Sequence, residues 1–217
     1  MRNKSCLLFD LDGTVTDSQL GITRSAAYAL ERFGIHIDNP AVLRCFVGPP
    51  LHESFMEHYG FSHADAMRAV DVYREYYRDK GIFENEVYPG IPELLKALNA
   101  DGRTVILATS KPAVFAQKIL DYFSLSDYFS CLSGAELDGT RTNKNEVIEY
   151  ALELGGISDR SRCVMIGDRR HDIIGAKKTG LSSIGVLYGY GDRAEHEAAG
   201  ADVIAESVEE LRSILLG

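Results

Sequence analysis

The chain lacks every cysteine spacing that marks a metal site or a disulfide frame. Its four cysteines, Cys6, Cys45, Cys131 and Cys163, include no CxxC pair among 217 residues, which sets aside zinc knuckles and stapled secreted scaffolds. They are expected to be reduced thiols in the core of a cytoplasmic protein. No apolar run approaches the ~20 residues that span a bilayer. The first run is only CLLF before a charge, so neither a signal peptide nor a membrane span is expected. Positive charge is also short, with 23 basic residues against 32 acidic ones and a formal net charge of −9. A nucleic-acid polymer or a membrane surface is therefore not an expected partner. Local cations would have to draw in any anionic substrate. Internal repeats and low-complexity segments are missing as well.

What remains is an ordinary apolar share of 45%, enough to build a core in one domain with an insertion or in two small domains. The runs CLLF (6–9), TVILAT (104–109), CVMIG (163–167) and SIGVL (183–187) are short and continuously apolar, and ADVIA (201–205) adds a weaker one. Runs of this kind, alternating with helical segments, predict buried parallel strands. Pro92 and Pro112 suit the first turn of a helix, and Gly102 and Gly155 suit helix ends. Asn143 with Glu146 and Ser207 with Glu210 have capping-box spacing. The result is a doubly wound α/β sheet of the Rossmann-like kind with right-handed crossovers. Between residues 18 and 80 the pattern is helical only, with one helix ending at Gly34, another at Gly81, and two shorter ones flanking VGPPL (47–51). That length exceeds a crossover helix several-fold. It predicts an inserted helical domain over 16–85, returning through NEVYPGIP (85–92), with the sheet domain made of 1–15 and 86–217.

Chemistry concentrates at the strand ends. In CLLFDLDGT, Asp10 and Asp12 follow the first strand two residues apart, and strand alternation turns both to one face. Two such charges are costly unless a cation neutralises them or one stays protonated. Thr109 and Ser110 follow the second strand, Asp168 and Asp172 lie in GDRRHD, and Lys144 opens the helix before that strand. In an open α/β sheet ligands sit at these carboxyl ends. An oxygen-only donor set without His or Cys favours Mg²⁺.

DLDGT, ATS, a lysine opening a later helix and GDRRHD together resemble the four ordered motifs of the haloacid dehalogenase superfamily. The insertion resembles that family's helical C1 cap, and the branch resembled is that of phosphoglycolate phosphatases and 5′-nucleotidases. The resemblance implies a nucleophile at Asp10, a general acid–base at Asp12, and phosphoryl contacts from Thr109 and Lys144. It implies Mg²⁺ held by Asp10, Asp168, Asp172 and the backbone carbonyl of Asp12, with amides at Gly13, Thr14 and Ser110 facing the phosphoryl group. Gly48 and Pro49 of VGPPL resemble the cap loop that faces the active site.

Two departures stand out. Arg169 occupies a position where many relatives carry a small residue, and Ser110 stands where many carry Asn. Arg169 and Arg170 are open to three roles: pairing with an acid, facing water or recruiting phosphate. Lys111 is open to substrate binding or a surface role. Arg24, Arg44 and His52 are further polar candidates, while Tyr73, Tyr76 and Tyr77 at helical spacing read as packing. The six histidines have no metal-ligand spacing. The expected activity is Mg²⁺-dependent hydrolysis of a small phosphomonoester, of phosphoglycolate or nucleoside monophosphate type, through an aspartyl-phosphate. The alternatives are a phosphomutase of the β-phosphoglucomutase type and a phosphoacceptor signalling domain. Oligomeric state is not readable.

Overall fold

The run CLLF forms strand β1 (Cys6–Phe9), buried along its whole length. A computed structural model describes residues 1–217 and divides them into two units, Met1–Thr16 with Val87–Gly217, and Asp17–Glu86. After β1 the chain passes through the two-residue strand β2 (Thr16–Asp17) into helices α1 (Gln19–Arg32), α2 (Leu51–Tyr59) and α3 (His63–Asp79). It returns through the two-residue strand β3 (Glu86–Val87).

Helix α3 shows why this segment is helical. The Ser62 side chain caps it by accepting from the Asp65 amide at 3.1 Å. Its buried residues are Ala66, Ala69, Val70, Tyr73 and Tyr77, one stripe at helical spacing. Tyr73 and Tyr77 stack with ring centroids 5.4 Å apart, as packing residues should. The shorter element before VGPPL is a correction to the expected helix. Pro40–Phe46 is a 3₁₀ helix with Pro40 in its first turn and Asn39 capping it, the tighter form that suits a short connector.

The other unit continues with α4 (Ile91–Ala100), β4 (Thr104–Pro112), α5 (Ala113–Tyr122), β5 (Cys131–Ala135), α6 (Lys144–Leu154) and β6 (Cys163–Gly167). It closes with α7 (Arg170–Thr179), β7 (Ser182–Val186), α8 (Arg193–Ala199), β8 (Val203–Ala205) and α9 (Val208–Leu216). Six strands form a parallel sheet in the order β5-β4-β1-β6-β7-β8. Helices α6 and α7 cover one face, where Val147, Ile148, Ala151 and Ala176 pack on Leu8, Ile106 and Met165. Burying each such Leu, Ile or Val contributes about 1.5–3 kcal/mol.

Strand β5 was not expected, because CLSGA holds a single large apolar residue and pairs only at the sheet edge. Pro112 ends β4 and caps α5 instead of standing in the helix's first turn. Cys45 and Cys131 are only partly buried, so they are not core thiols, and all four cysteines are unpaired. No helix is long and apolar enough to cross a membrane.

Strand β1 is central, with β4 on one side and β6 on the other. The chain order therefore reverses direction at β1, and the crevice beyond its carboxyl end is where such sheets bind ligands.

Candidate functional site

Strand β1 delivers Asp10 to that crevice, its amide still tied to Ile166 O on β6 at 2.9 Å. On the other side β4 loses register with β5 between Ala108 and Pro112. This irregularity lifts Thr109, Ser110 and Lys111 out of the ladder, and the Lys111 amide donates to Thr109 Oγ1 at 3.2 Å. Lys144 is the first residue of α6, behind the Asn143–Glu146 capping box. Asp168 follows β6, and Asp172 lies in the first turn of α7.

These elements converge on one ammonium. Lys144 Nζ lies 2.8 Å from Asp10 Oδ1 and 2.8 Å from Asp172 Oδ1, and it donates to Ala108 O at 3.1 Å. The contact with Asp172 is an ion pair by distance, without hydrogen-bond alignment. Carboxylate oxygens of Asp10, Asp168 and Asp172 lie within 4.8 Å of one another, and all three residues are buried. Asp168 Oδ2 accepts from the Tyr190 amide at 2.8 Å. Its other oxygen, Oδ1, is buried with no partner.

Burial pushes the Asp10 carboxyl up to about 6; Lys144 pulls against that and Asp172 adds to it. Burial, with Asp172 and Asp10, pushes Asp168 well above the ordinary carboxylate range. Burial works against the Lys144 charge, yet Asp10 and Asp172 outweigh it and hold the ammonium above its usual value.

Three carboxylates against one ammonium leave two negative charges when all are ionised. A divalent cation carries the opposite charge. The orphaned Asp168 oxygen and the all-oxygen donor set fit Mg²⁺.

Asp12 does not join this group. Its carboxylate is held by Lys111, whose Nζ lies 2.8 Å from Oδ1 and 2.6 Å from Oδ2. The Lys111 side chain is 7% exposed, which rules out the surface role. Two amides expected to face the phosphoryl group make bonds within the loop. The Gly13 amide donates to Thr16 O at 2.8 Å and the Thr14 amide to Leu11 O at 3.2 Å, because both are spent closing the turn after Asp12. Gly48 and Pro49 lie in the other unit, before α2. Arg24 there pairs with Glu84 at 2.5 Å; Arg44 is exposed and His52 partly buried. Of the two arginines after Asp168, Arg169 pairs with Glu195 and Arg170 is exposed.

Gly13 is required twice over. Its φ is +80°, and a Cβ there would stand 2.1 Å from Asp168 Oδ2. Gly13→Ala should cost roughly 1–3 kcal/mol from backbone strain alone, with a further loss from displacing Asp168. Chemical denaturation of both proteins without divalent cation checks this, and equal midpoints would refute it.

Sequence reasoning missed the Tyr190 amide and Glu195. A backbone donor leaves no side-chain signal, and Glu195 sits in an ordinary acidic first helical turn.

Residues 7–186 match the family model described as haloacid dehalogenase-like hydrolase. The chain is 47% identical over 209 residues to a 5′-nucleotidase of Pseudomonas aeruginosa, covering 96% of this chain and 94% of the relative. It is 35% identical over 212 residues to the tyrosine-protein kinase PtkA of Mycobacterium tuberculosis, covering 96% of this chain and 72% of that protein. The crystal structure of a predicted phosphatase from Clostridium acetobutylicum superposes with a TM-score of 0.94 at 48% identity, covering 97% of each chain.

Proposed function

This chain belongs to the haloacid dehalogenase-like hydrolase family and is a phosphatase, and from that premise we propose that it hydrolyses a small phosphomonoester through an aspartyl-phosphate on Asp10. The observation that carries the reading is the buried Asp10 carboxylate, 2.8 Å from Lys144 Nζ and grouped with Asp168 and Asp172 at the sheet's reversal point.

In this mechanism an Asp10 oxygen attacks phosphorus and the ester oxygen leaves, taking a proton from Asp12. Water then attacks the acyl-phosphate with Asp12 as the base, releasing inorganic phosphate and restoring Asp10. Lys144 and the Thr109 hydroxyl hold the phosphoryl oxygens where charge develops. Lys111 keeps Asp12 oriented and favours its ionised form, the base of the second step, and the proton that Asp12 takes from the attacking water is the one it gives to the leaving oxygen in the next turnover. Asp10, Asp168 and Asp172, with the Asp12 carbonyl, would hold Mg²⁺, which supplies further charge neutralisation when bound.

The helical unit Asp17–Glu86, with Gly48 and Pro49, is read as the cap that selects the leaving group and excludes water. Nucleoside monophosphates lead the substrate list on the strength of the 47% identical relative's name, with phosphoglycolate next. A cytoplasmic setting belongs to the same reading, supported by four unpaired thiols.

The test is phosphate release from a panel of nucleoside monophosphates, phosphoglycolate, sugar phosphates and pyrophosphate, with Mg²⁺ and with a chelator. Mg²⁺-dependent release favouring one ester is the expected result. Isomerisation of a sugar phosphate without release would replace the reading with a mutase. Transfer from a nucleoside triphosphate to tyrosine, without ester hydrolysis, would replace it with the kinase activity that PtkA's name carries.

A further inference from the structure

The acid cluster is braced from outside by the segment that follows β7. Asp168 is gripped through the Tyr190 amide, and a Cβ on Gly191 would stand 2.0 Å from the Asp168 carbonyl oxygen, so the segment lies directly against the β6–α7 turn. The next helix, α8, adds a charged clamp. Glu195 Oε1 accepts from Arg169 Nε at 2.9 Å and from the Arg170 amide at 2.7 Å. One carboxylate oxygen thus holds Arg169 and Arg170, two of the three residues between Asp168 and Asp172.

Arg169 in turn donates its amide to Asp172 Oδ2 at 3.1 Å. Fixing Arg169 therefore fixes an oxygen of Asp172 on one side and the backbone of Asp168 on the other. The Arg169 and Glu195 side chains are 22% and 21% exposed, shielded enough for the pair to hold one geometry. Glu195 itself is anchored, because the Asp192 side chain caps α8 by accepting from the Glu195 amide at 2.7 Å.

We propose that Glu195 is a positioning residue for the cation site, setting divalent-cation affinity by holding the Asp168–Asp172 turn through Arg169 and the Arg170 amide. Groups that orient ligands without touching the metal change metal affinity or activity by about 10–100-fold when removed. The inference rests on the proposed reading that Asp168 and Asp172 hold Mg²⁺.

The experiment measures Mg²⁺ binding to the full chain by calorimetry, beside the Mg²⁺ concentration dependence of phosphate release, for wild type, Glu195→Ala, Glu195→Gln and Arg169→Met. Glu195→Ala and Arg169→Met should weaken Mg²⁺ binding about tenfold and raise the activating concentration to match. Saturating Mg²⁺ should restore kcat with KM for the ester unchanged. Glu195→Gln keeps an acceptor oxygen and should lose less. Glu206→Ala, which breaks the exposed pair that Arg193 of α8 makes with Glu206 beyond β8, should bind Mg²⁺ like wild type.

Wild-type Mg²⁺ affinity in folded Glu195→Ala and Arg169→Met would overturn the inference and leave the phosphatase reading standing. If Glu195→Ala does not fold, Glu195→Gln and Arg169→Met decide, and unchanged affinity in both overturns it. A wild-type chain that hydrolyses esters without binding Mg²⁺ would overturn both the metal assignment and this role for Glu195.

Discussion

Asp10→Asn should abolish phosphate release, by at least ~10⁴-fold as expected for loss of a nucleophile, while making the chain more heat-stable at about pH 7 without divalent cation. The two effects share one cause. Burial raises the Asp10 carboxyl from 3.8 to about 6 in the fold, so between those values the folded chain holds a proton that the unfolded chain has released. Stability therefore falls as pH rises through this window. Asparagine keeps the shape of the protonated form and carries no charge at any pH. The variant's melting advantage over wild type should be full above about pH 6 and gone below about pH 4. Melting curves at several pH values, with a chelator, measure it. An Asp10→Asn protein that still turns over would remove Asp10 from the mechanism, and one that melts lower than wild type at pH 7 would remove the account of its burial.

Lys144→Met should act in the opposite direction. The Lys144 side chain is 4% exposed and serves Asp10 and Asp172 at once. Replacing it leaves two buried carboxylates without their cation, at a cost of roughly 3–5 kcal/mol at neutral pH. Phosphate release should be lost as well. Acid should relieve the stability defect, because protonating the stranded carboxyls removes the charge that lacks a partner. Denaturant titrations of both proteins at about pH 4.5 and pH 7 test this. A defect of equal size at both values would mean that Lys144 matters for packing alone.

The contrast between these two variants also explains what could be read in advance. The chain's continuous apolar runs locate the buried strands because a strand covered on both faces tolerates no alternation, and CLLF and CVMIG satisfy that requirement. CLSGA escaped detection because an edge strand with small residues carries almost no such pattern. Asp10, Lys144, Asp168 and Asp172 could be grouped from their order and strand-end positions, and they do meet in one buried cluster. The Lys111–Asp12 pair and the Glu195 clamp were not legible. Each joins residues far apart in sequence whose meeting depends on loop geometry, and a surface lysine or helix-start glutamate has the same local signature. The turn bonds of the Gly13 and Thr14 amides were not legible for a related reason, since local sequence does not say which donors a turn uses in closing on itself.

The central place of β1 has a bearing on how the molecule comes into being. Cys6 lies beside Thr104 on one side and Cys163 on the other, while Asp17–Glu86 forms an uninterrupted stretch. During synthesis from the amino terminus, the first strand emerges long before either neighbour exists. The helical stretch has all its parts as soon as residue 86 is made, whereas CLLF must wait for about half the chain to gain one flank and about three-quarters to gain both. Long-range pairing of this kind slows folding. The strand that leads into Asp10 is thus the earliest translated part of the sheet and waits through more chain than any other strand before it is flanked on both sides, an interval in which four consecutive apolar residues stand open to chaperones.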